Sequence, residues 1–395
     1  VFGYDGSSCS SKCLRKTTSK AEERKEERKE EVPASPAVLN SAEELLHDEN
    51  LLVTLNDSFD ARIVHDKKVR NVVFITGASG YSPNPLNLFL EGPSSSGKTY
   101  VVVEVLRYFP PEDVWLLANL SPTALTHQFG KMETYKGEPA KIIDLRNKIL
   151  VFLEKPNHKT LEQLKPILSH DVFETTYKVT DKSKDGGNRT FTTVLRGWPA
   201  FIFCTTETDL LHEISTRNLL FAPENSIEKI KDAIELQNDM ASFPWKHAEG
   251  VHDKRIEIMR CAFDKLIRKY GGTHVIIPKI SGTSLDVTAQ DMRIMRDNKK
   301  RLELIKSITW LHAEQRDEVT LSDGTGGEEN YLIATLSDIF IGLALYDEIR
   351  RSTETGLAPV VIDFFDTILK PLCDERVRVG YDEIACDTIR SKKDR

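Results

Sequence analysis

The segment with the clearest chemistry is GPSSSGKT, which matches the pattern G-x4-G-K-[ST]. In this pattern the glycines let the backbone wrap a phosphate while its N–H groups point inward. We expect Lys98 to reach the β- and γ-phosphates of a nucleotide and the Thr99 hydroxyl to bind Mg²⁺. The alternative is an ordinary Gly/Ser turn. The predicted nucleotide-binding residues are Gly92, Pro93, Ser94, Ser95, Ser96, Gly97, Lys98 and Thr99, hereafter the phosphate-binding loop.

A second candidate residue, Glu154, lies at the end of the apolar run KILVFLE. Nucleotide hydrolases with such a loop usually carry Asp and then Glu here, and this chain carries Leu153 and Glu154. Glu154 is predicted to polarise the attacking water and to contribute to Mg²⁺ binding. The alternative is that Glu154 only caps the strand. Asp144 comes earlier in the chain, and we expect it at the wrong end of this strand to replace the missing Asp.

Hydroxyl and guanidinium groups follow the apolar run PAFIFCTT. Thr205 and Thr206, at its tip, are predicted to hydrogen-bond the attacking water or the γ-phosphate, unless they merely end the strand. Arg217, a dozen residues on, is predicted to project into the nucleotide of a neighbouring subunit and to neutralise charge in the transition state. Its alternative is a surface ion pair with Glu213 four residues before it.

The third cationic feature lies just before that strand. The β-rich runs ETTYKVT and TFTTVLR flank DKSKDGGNR, a strong turn signal, and together they predict a β-hairpin. Lys182, Lys184 and Arg189 stand at its predicted tip, where cations on a protruding element could contact nucleic-acid phosphates. An ordinary solvated hairpin is the alternative.

The elements that must position these residues are short, apolar and β-branched or aromatic. NLFLEG, DVWLLANL, KILVFLE and PAFIFCTT are predicted to be buried parallel strands with helices between them, hence an α/β domain. We predict a charged flexible tail and linker over 1–40 and a helical lead-in over 41–85, which begins with a capping box at Ser41. The α/β domain is predicted over 86–225, a helical lid over 226–355 and a partial winged-helix-like end over 356–395. In the lid, Arg293 or Arg296 could reach the nucleotide, although a solvated basic face explains most of that charge.

Composition narrows the function classes. The chain has 395 residues, with Lys plus Arg at 54 and Asp plus Glu at 61, so its formal net charge is −7 and any nucleic-acid contact must be local. Six cysteines do not make a disulfide scaffold, and we expect Cys9 and Cys13 to be free thiols because no second ligand pair lies near them. No apolar run approaches ~20 residues and the first residues lack the apolar core of a signal peptide, so the expected location is the cytoplasm.

These motifs together resemble a known group of proteins. GPSSSGKT, SPTAL, FLE, the hairpin, TTET with EISTR, and RDNKKRLELI with WLHAEQR are similar to the helicase-type P-loop ATPase module, AAA+ and superfamily 3-like, associated with DNA primases of mobile elements, phages and plasmids. The resemblance implies a parallel sheet with a hairpin before the sensor strand, ATP and Mg²⁺ as cofactors, single-stranded DNA as ligand, and a ring-shaped homo-oligomer with a primase or polymerase as partner. The Asp missing beside Glu154 departs from helicases generally.

Three functional hypotheses follow. The first is a DNA-dependent, oligomeric ATPase of helicase type acting in replication of a mobile element or phage. The second is an ATP-switched scaffold or loader that recruits a primase or polymerase with little turnover, which the missing Asp favours. The third is a P-loop small-molecule kinase, which the large helical region and the position of Arg217 disfavour.

Overall fold

The computed structural model describes the chain over residues 35–118, 130–156, 158–182, 188–206, 217–245, 250–279, 293–322, 327–355, 362 and 364–371. Its helices are α1 (Pro36–Leu46), α2 (Leu51–Phe59), α3 (Lys67–Ser79), α4 (Lys98–Leu106), α5 (His158–Leu168), α6 (Ile227–Ser242), α7 (Gly250–Tyr270), α8 (Arg293–Leu311) and α9 (Leu336–Thr355). Its strands are β1 (Asn87–Glu91), β2 (Val114–Leu117), β3 (Lys131–Tyr135), β4 (Glu138–Asp144), β5 (Ile149–Phe152), β6 (Glu174–Lys182), β7 (Asn188–Arg196), β8 (Ala200–Thr205), β9 (Leu219–Phe221), β10 (His274–Ile276), β11 (Glu318–Ser322) and β12 (Glu328–Ile333).

The central sheet contains five parallel strands in the order β2-β5-β8-β1-β9. The four strands predicted from apolar runs are present, so the α/β class is confirmed. Strand β8 lies between β1 and β5, which brings the tip at Thr205 between the phosphate-binding loop and Glu154. Strand β9 was not predicted, since three residues are too short to show a pattern.

The two faces of the central sheet are covered differently, because successive side chains of a strand point to opposite faces. Leu88 and Leu90 of β1 belong to the larger core cluster, with residues of α3 and α4. Phe89 belongs to the second cluster, with residues of α5. There it stacks on Phe203, with ring centroids 4.3 Å apart, and Phe203 stacks on Phe152 at 4.9 Å. These three rings form a row across β1, β8 and β5.

The predicted hairpin is present as β6 and β7, whose outermost pair joins Lys182 to Asn188. It is part of a four-stranded sheet in the order β3-β4-β7-β6, in which β4 runs parallel to β7. Strands β3 and β4 were not predicted. Only Trp198 and its two neighbours separate β7 from β8, so the base of the hairpin lies at the amino edge of the central sheet.

The amino-terminal helices begin earlier than predicted. Ser35 is the N-cap of α1, and its Oγ accepts a hydrogen bond from Val38 N at 3.4 Å. Pro36 follows as the first helical residue, a position that suits proline because its fixed φ is already helical. The predicted start at Ser41 is therefore wrong, since Ser41 lies in the middle of α1, and the predicted tail is helical from Pro36 onward.

The carboxyl-terminal half contains the expected helices α6 to α9 and also a small sheet, in the order β10-β12-β11, that was not predicted. The larger core cluster runs continuously from α1 through the central sheet to α9, across the predicted boundaries at 85 and 225. Trp310 of α8, for example, stacks on Tyr81 at 5.5 Å. Most of the predicted winged-helix-like end lies outside the described residues. In the part that is described, residues 365–369 form a π-helical turn. Among the helices that the structure describes, none combines the length and apolar character needed to cross a membrane.

Candidate nucleotide-binding site

The phosphate-binding loop connects the carboxyl end of β1 to the first residue of α4, as predicted. Gly97 precedes α4 with φ +88°, in the left-handed region that favours glycine, and Ser95 adopts φ +66°. A Cβ atom on Gly92 would lie 3.3 Å from Ser96 Oγ, so a side chain there would crowd the loop. The sequence thus satisfies the backbone geometry of a tight turn that exposes N–H groups at a helix amino terminus.

Lys98 is folded back over this loop. Its ammonium donates to the carbonyl oxygens of Gly92 and Pro93, both at 2.7 Å, and to Ser96 Oγ at 3.2 Å. The side chain is buried, and burial lowers the pKa of Lys98, with Lys229 adding a repulsion. The loop therefore holds a partly desolvated cation that is hydrogen-bonded to neutral groups of the loop, an arrangement suited to an incoming phosphate.

The end of β8 meets the loop on both faces of the sheet. Thr205 is buried and its carbonyl oxygen accepts a hydrogen bond from Gly92 N at 3.2 Å, whereas Thr206 is exposed. Cys204 points to the opposite face, where it hydrogen-bonds Thr99. Burial raises the pKa of the Cys204 thiol to about 11, so it remains protonated at neutral pH. Cys204 was not predicted from the sequence, although it lies two residues before Thr206 and alternate residues of a strand share a face.

Glu154 and Leu153 follow β5 at the same edge. Glu154 is exposed, and Leu153 packs against the larger core cluster, which leaves that position without a carboxylate. Glu154 comes two residues after Phe152 and Thr205 two residues after its register partner Phe203, so both stand at the same level of the sheet.

Glu91, which the sequence analysis also missed, pairs in register with Thr205 from the other side. It is only 3 % exposed, and its Oε1 has no hydrogen-bond partner. Burial raises the pKa of Glu91. A signal was available, because a glutamate ending an otherwise apolar central strand is unusual.

Asp144 is the last residue of β4 and therefore lies in the hairpin sheet, whereas Glu154 follows β5 of the central sheet. It forms an ion pair with Arg146. Burial opposes ionisation, but the hydrogen bonds from Arg146 win and lower the pKa of Asp144. The expectation that Asp144 does not replace the missing Asp agrees with this position.

Arg217 lies at the opposite edge of the central sheet from the phosphate-binding loop. Asn87, the first residue of β1, donates from Nδ2 to the Arg217 carbonyl oxygen at 3.5 Å. The loop follows the other end of that strand, about 13 Å away at the rise of a parallel strand. Arg217 Nε donates to Ser169 Oγ. The structure does not bring Arg217 to the loop of its own chain, and Glu213 lies outside the described residues.

The hairpin cations are described only in their backbone. Lys182 and Arg189 occupy the last two pairs of the hairpin, opposite Asn188 and Asp181 respectively. Lys184 lies outside the described residues, as do Cys9 and Cys13. The backbones of Lys182 and Arg189 therefore lie at the outer end of the two described hairpin strands.

A lid cation that does contact the loop is Lys229 of α6, which no motif indicated. Its ammonium donates to the Ser96 carbonyl oxygen at 3.1 Å and forms an ion pair with the buried Asp66. Of the two arginines considered from sequence, Arg296 is exposed on α8, and the side chain of Arg293 is not described.

Thr99 and Glu154 are the two residues predicted to bind Mg²⁺. Within the described ranges, no group of three or more His, Cys, Asp or Glu side chains is arranged to hold a metal ion. Thr99 and Glu154 could contribute oxygen ligands to an ion that arrives with the nucleotide phosphates.

No protein-family model matches the chain, and no curated protein matches its sequence.

Proposed function

We propose that this chain is an ATP-dependent, oligomeric, helicase-like motor that acts on DNA, of the AAA+ and superfamily 3-like type, in replication of a mobile element or phage. The observation that carries the proposal is the contact of the Lys98 ammonium with the Gly92 and Pro93 carbonyl oxygens, at 2.7 Å, within a G-x4-G-K-T loop between β1 and α4. These contacts hold a cation and a helix amino terminus where a polyphosphate would lie.

Each residue then has a role in binding or hydrolysis. Lys98 exchanges its carbonyl partners for β- and γ-phosphate oxygens, because a charge-assisted hydrogen bond to phosphate is the stronger one. Thr99 is the ligand for Mg²⁺, which when bound neutralises charge on the phosphate oxygens. Glu154 accepts a proton from the attacking water, and Thr205 or Thr206 orients that water or the γ-phosphate.

Oligomerisation supplies the remaining cation. Arg217 contacts Ser169 at the far edge of the sheet, so in this proposal it serves the nucleotide of an adjacent subunit. A ring of subunits repeats this contact between Arg217 and the adjacent nucleotide at every interface. The hairpin cations Lys182, Lys184 and Arg189 grip the backbone of single-stranded DNA.

The burial of Leu153 favours a second candidate function. Leu153 packs into the core where hydrolases of this type have an Asp, so the Mg²⁺ geometry lacks one carboxylate. An ATP-switched scaffold that binds nucleotide, assembles and recruits a primase or polymerase needs no rapid turnover. Steady-state hydrolysis separates the two, since a scaffold turns over much more slowly than the rate of about 1–100 s⁻¹ that is typical of kinases.

The test of the nucleotide site is binding of MgATP, measured by calorimetric titration, with Lys98→Ala and the control Lys155→Ala. Lys155 stands one residue beyond Glu154 and outside the loop. We expect Lys98→Ala to lose at least about tenfold in affinity, the equivalent of one charge-assisted hydrogen bond, and Lys155→Ala to bind as the wild type. Equal binding by all three proteins would refute the site.

A further inference from the structure

Lys229 is almost enclosed by acceptors from three parts of the chain. Its ammonium contacts the Asp66 carboxylate, the Ser96 carbonyl oxygen at 3.1 Å and the Glu224 carbonyl oxygen at 3.0 Å. The two contacts with carbonyl oxygens are hydrogen bonds, and the contact with Asp66 is an ion pair. The side chains of Lys229 and Asp66 are 12 % and 0 % exposed, so the ion pair is buried.

The Asp66 side of this contact is built at the expense of local geometry. Asp66 precedes α3 with φ +53°, in the left-handed region, and its side chain makes no capping bond to the helix. The carboxylate instead accepts a hydrogen bond from Glu224 N at 2.8 Å and pairs with Lys229. His65 also has a positive φ, of 57°. Strained residues that surrounding contacts hold in place often mark functional positions.

The Ser96 side of the contact acts on the phosphate-binding loop. The Ser96–Gly97 peptide is trans and planar, so the Gly97 N–H points away from the Ser96 carbonyl oxygen. By donating to that oxygen from outside the loop, Lys229 favours the orientation in which the N–H faces inward. A Cβ atom at position 97 would lie 4.0 Å from Lys229 Nζ, an ordinary contact distance, so it is the φ of +88° and not the approach of Lys229 that favours glycine there.

We propose that Lys229 is a positioning residue of the nucleotide site, which holds the Ser96–Gly97 peptide with its N–H toward the phosphates and, through Asp66, ties the loop to the lid. This inference rests on the proposed nucleotide binding. Helix α6 has no buried residue. Two side-chain pairs link it to the segment before α3, Lys229 with Asp66 and Asp232 with His65 at 2.6 Å. Movement of α6 would therefore change the geometry of the loop.

The experiment compares Lys229→Met, Asp66→Asn and the double variant, with Lys231→Met as the control on the exposed side of α6. Two quantities are measured, the affinity for MgATP by calorimetric titration and the thermal midpoint without nucleotide. Lys229→Met leaves Asp66 buried without its cation and lowers the midpoint, whereas the double variant removes both charges and recovers it. We expect the double variant still to bind MgATP about tenfold more weakly than the wild type, and Lys229→Arg to recover part of that loss.

A purely structural role predicts a different result. A double variant that recovers both the midpoint and wild-type affinity would overturn the proposal, as would wild-type affinity in Lys229→Met. If the wild type itself does not bind MgATP, the proposed function fails first, and the inference about Lys229 fails with it.

Discussion

Arg217 Nε donates to Ser169 Oγ just beyond the end of α5, and the next residue, His170, stacks on Trp198 at 5.0 Å. Trp198 lies in the short connection between the hairpin and β8. The arginine proposed to serve a neighbouring nucleotide is thus linked to the base of the hairpin proposed to grip DNA through two adjacent residues, Ser169 and His170.

The first prediction concerns Arg217. Arg217→Ala should lower ATP turnover by about 10³-fold, the loss expected for an arginine that stabilises the transition state, and should leave MgATP affinity of the isolated subunit unchanged. Ser169→Ala is the matched control, because it removes the local hydrogen bond and keeps the guanidinium.

Mixing identifies the subunit on which Arg217 acts. Arg217→Ala mixed with Lys98→Ala should regain part of the turnover, since some interfaces then combine an intact loop with an intact arginine. If the mixture is as inactive as its components, Arg217 does not act across an interface.

The second prediction concerns the hairpin. Replacing Lys182 and Lys184 by Ala should weaken binding of single-stranded DNA and reduce the slope of log affinity against log salt by about 1.4, at 0.7 per lost phosphate contact. Lys178→Ala, on an exposed position of β6 farther from the turn, is the control and should leave that slope unchanged. An unchanged slope in the double variant would assign DNA contact, if any, to another surface.

The third prediction is a pH dependence of stability from Glu91. Burial raises the pKa of Glu91, so the folded protein binds this proton more tightly than the unfolded chain does. The loss of stability caused by ionising the buried Glu91 carboxylate is absent below the unfolded pKa of about 4.3 and grows as the pH rises through the folded pKa. Glu91→Gln should therefore gain stability relative to the wild type between pH 5 and pH 7.5.

Urea unfolding at the two pH values measures this difference. Glu154→Gln is the control, because its carboxylate is exposed at the end of a neighbouring strand, and it should stay within about 0.5 kcal/mol of the wild type. A difference between Glu91→Gln and the wild type that does not change with pH would mean that Glu91 is not buried as described.

The fourth prediction tests the corrected start of α1. Ser35→Ala should lower the free energy of unfolding by about 1 kcal/mol, because it removes the hydroxyl that accepts from Val38 N. Ser41→Ala, within the helix, should be neutral or slightly stabilising, because alanine is the better helix former. Urea unfolding compares the two, and the opposite ranking would restore the sequence-based start.

The sequence predicted those elements whose signal is local. Strands β1, β5 and β8 are buried along their whole length, as predicted from their apolar runs. Strand β2 is present but is not the buried strand that was predicted, because it lies at the edge of the central sheet and Leu116 is exposed. The hairpin was predictable from its turn residues. Strand β3 was not, because it is mostly exposed, and β4 was not, because it depends on pairing with β7, far along the chain.

The candidate site divides in the same way. The phosphate-binding loop is a contiguous motif, so Lys98 and Thr99 could be named from sequence. Lys229 and Asp66 could not, because Asp66 lies 26 residues before Gly92 and Lys229 lies 130 residues after Thr99 along the chain. They meet at the loop only when the lid and the segment before α3 pack together. Cys204 could have been named, because it lies two residues before Thr206 in a run already predicted to be a strand, and alternate residues of a strand share a face.

The measurement that tests the central claim most directly is ATP hydrolysis with and without single-stranded DNA at several protein concentrations, with Lys98→Ala as the blank. An oligomeric DNA motor predicts turnover per subunit that rises with protein concentration and rises further with DNA. Turnover that is independent of both would contradict the account and would favour a small-molecule kinase.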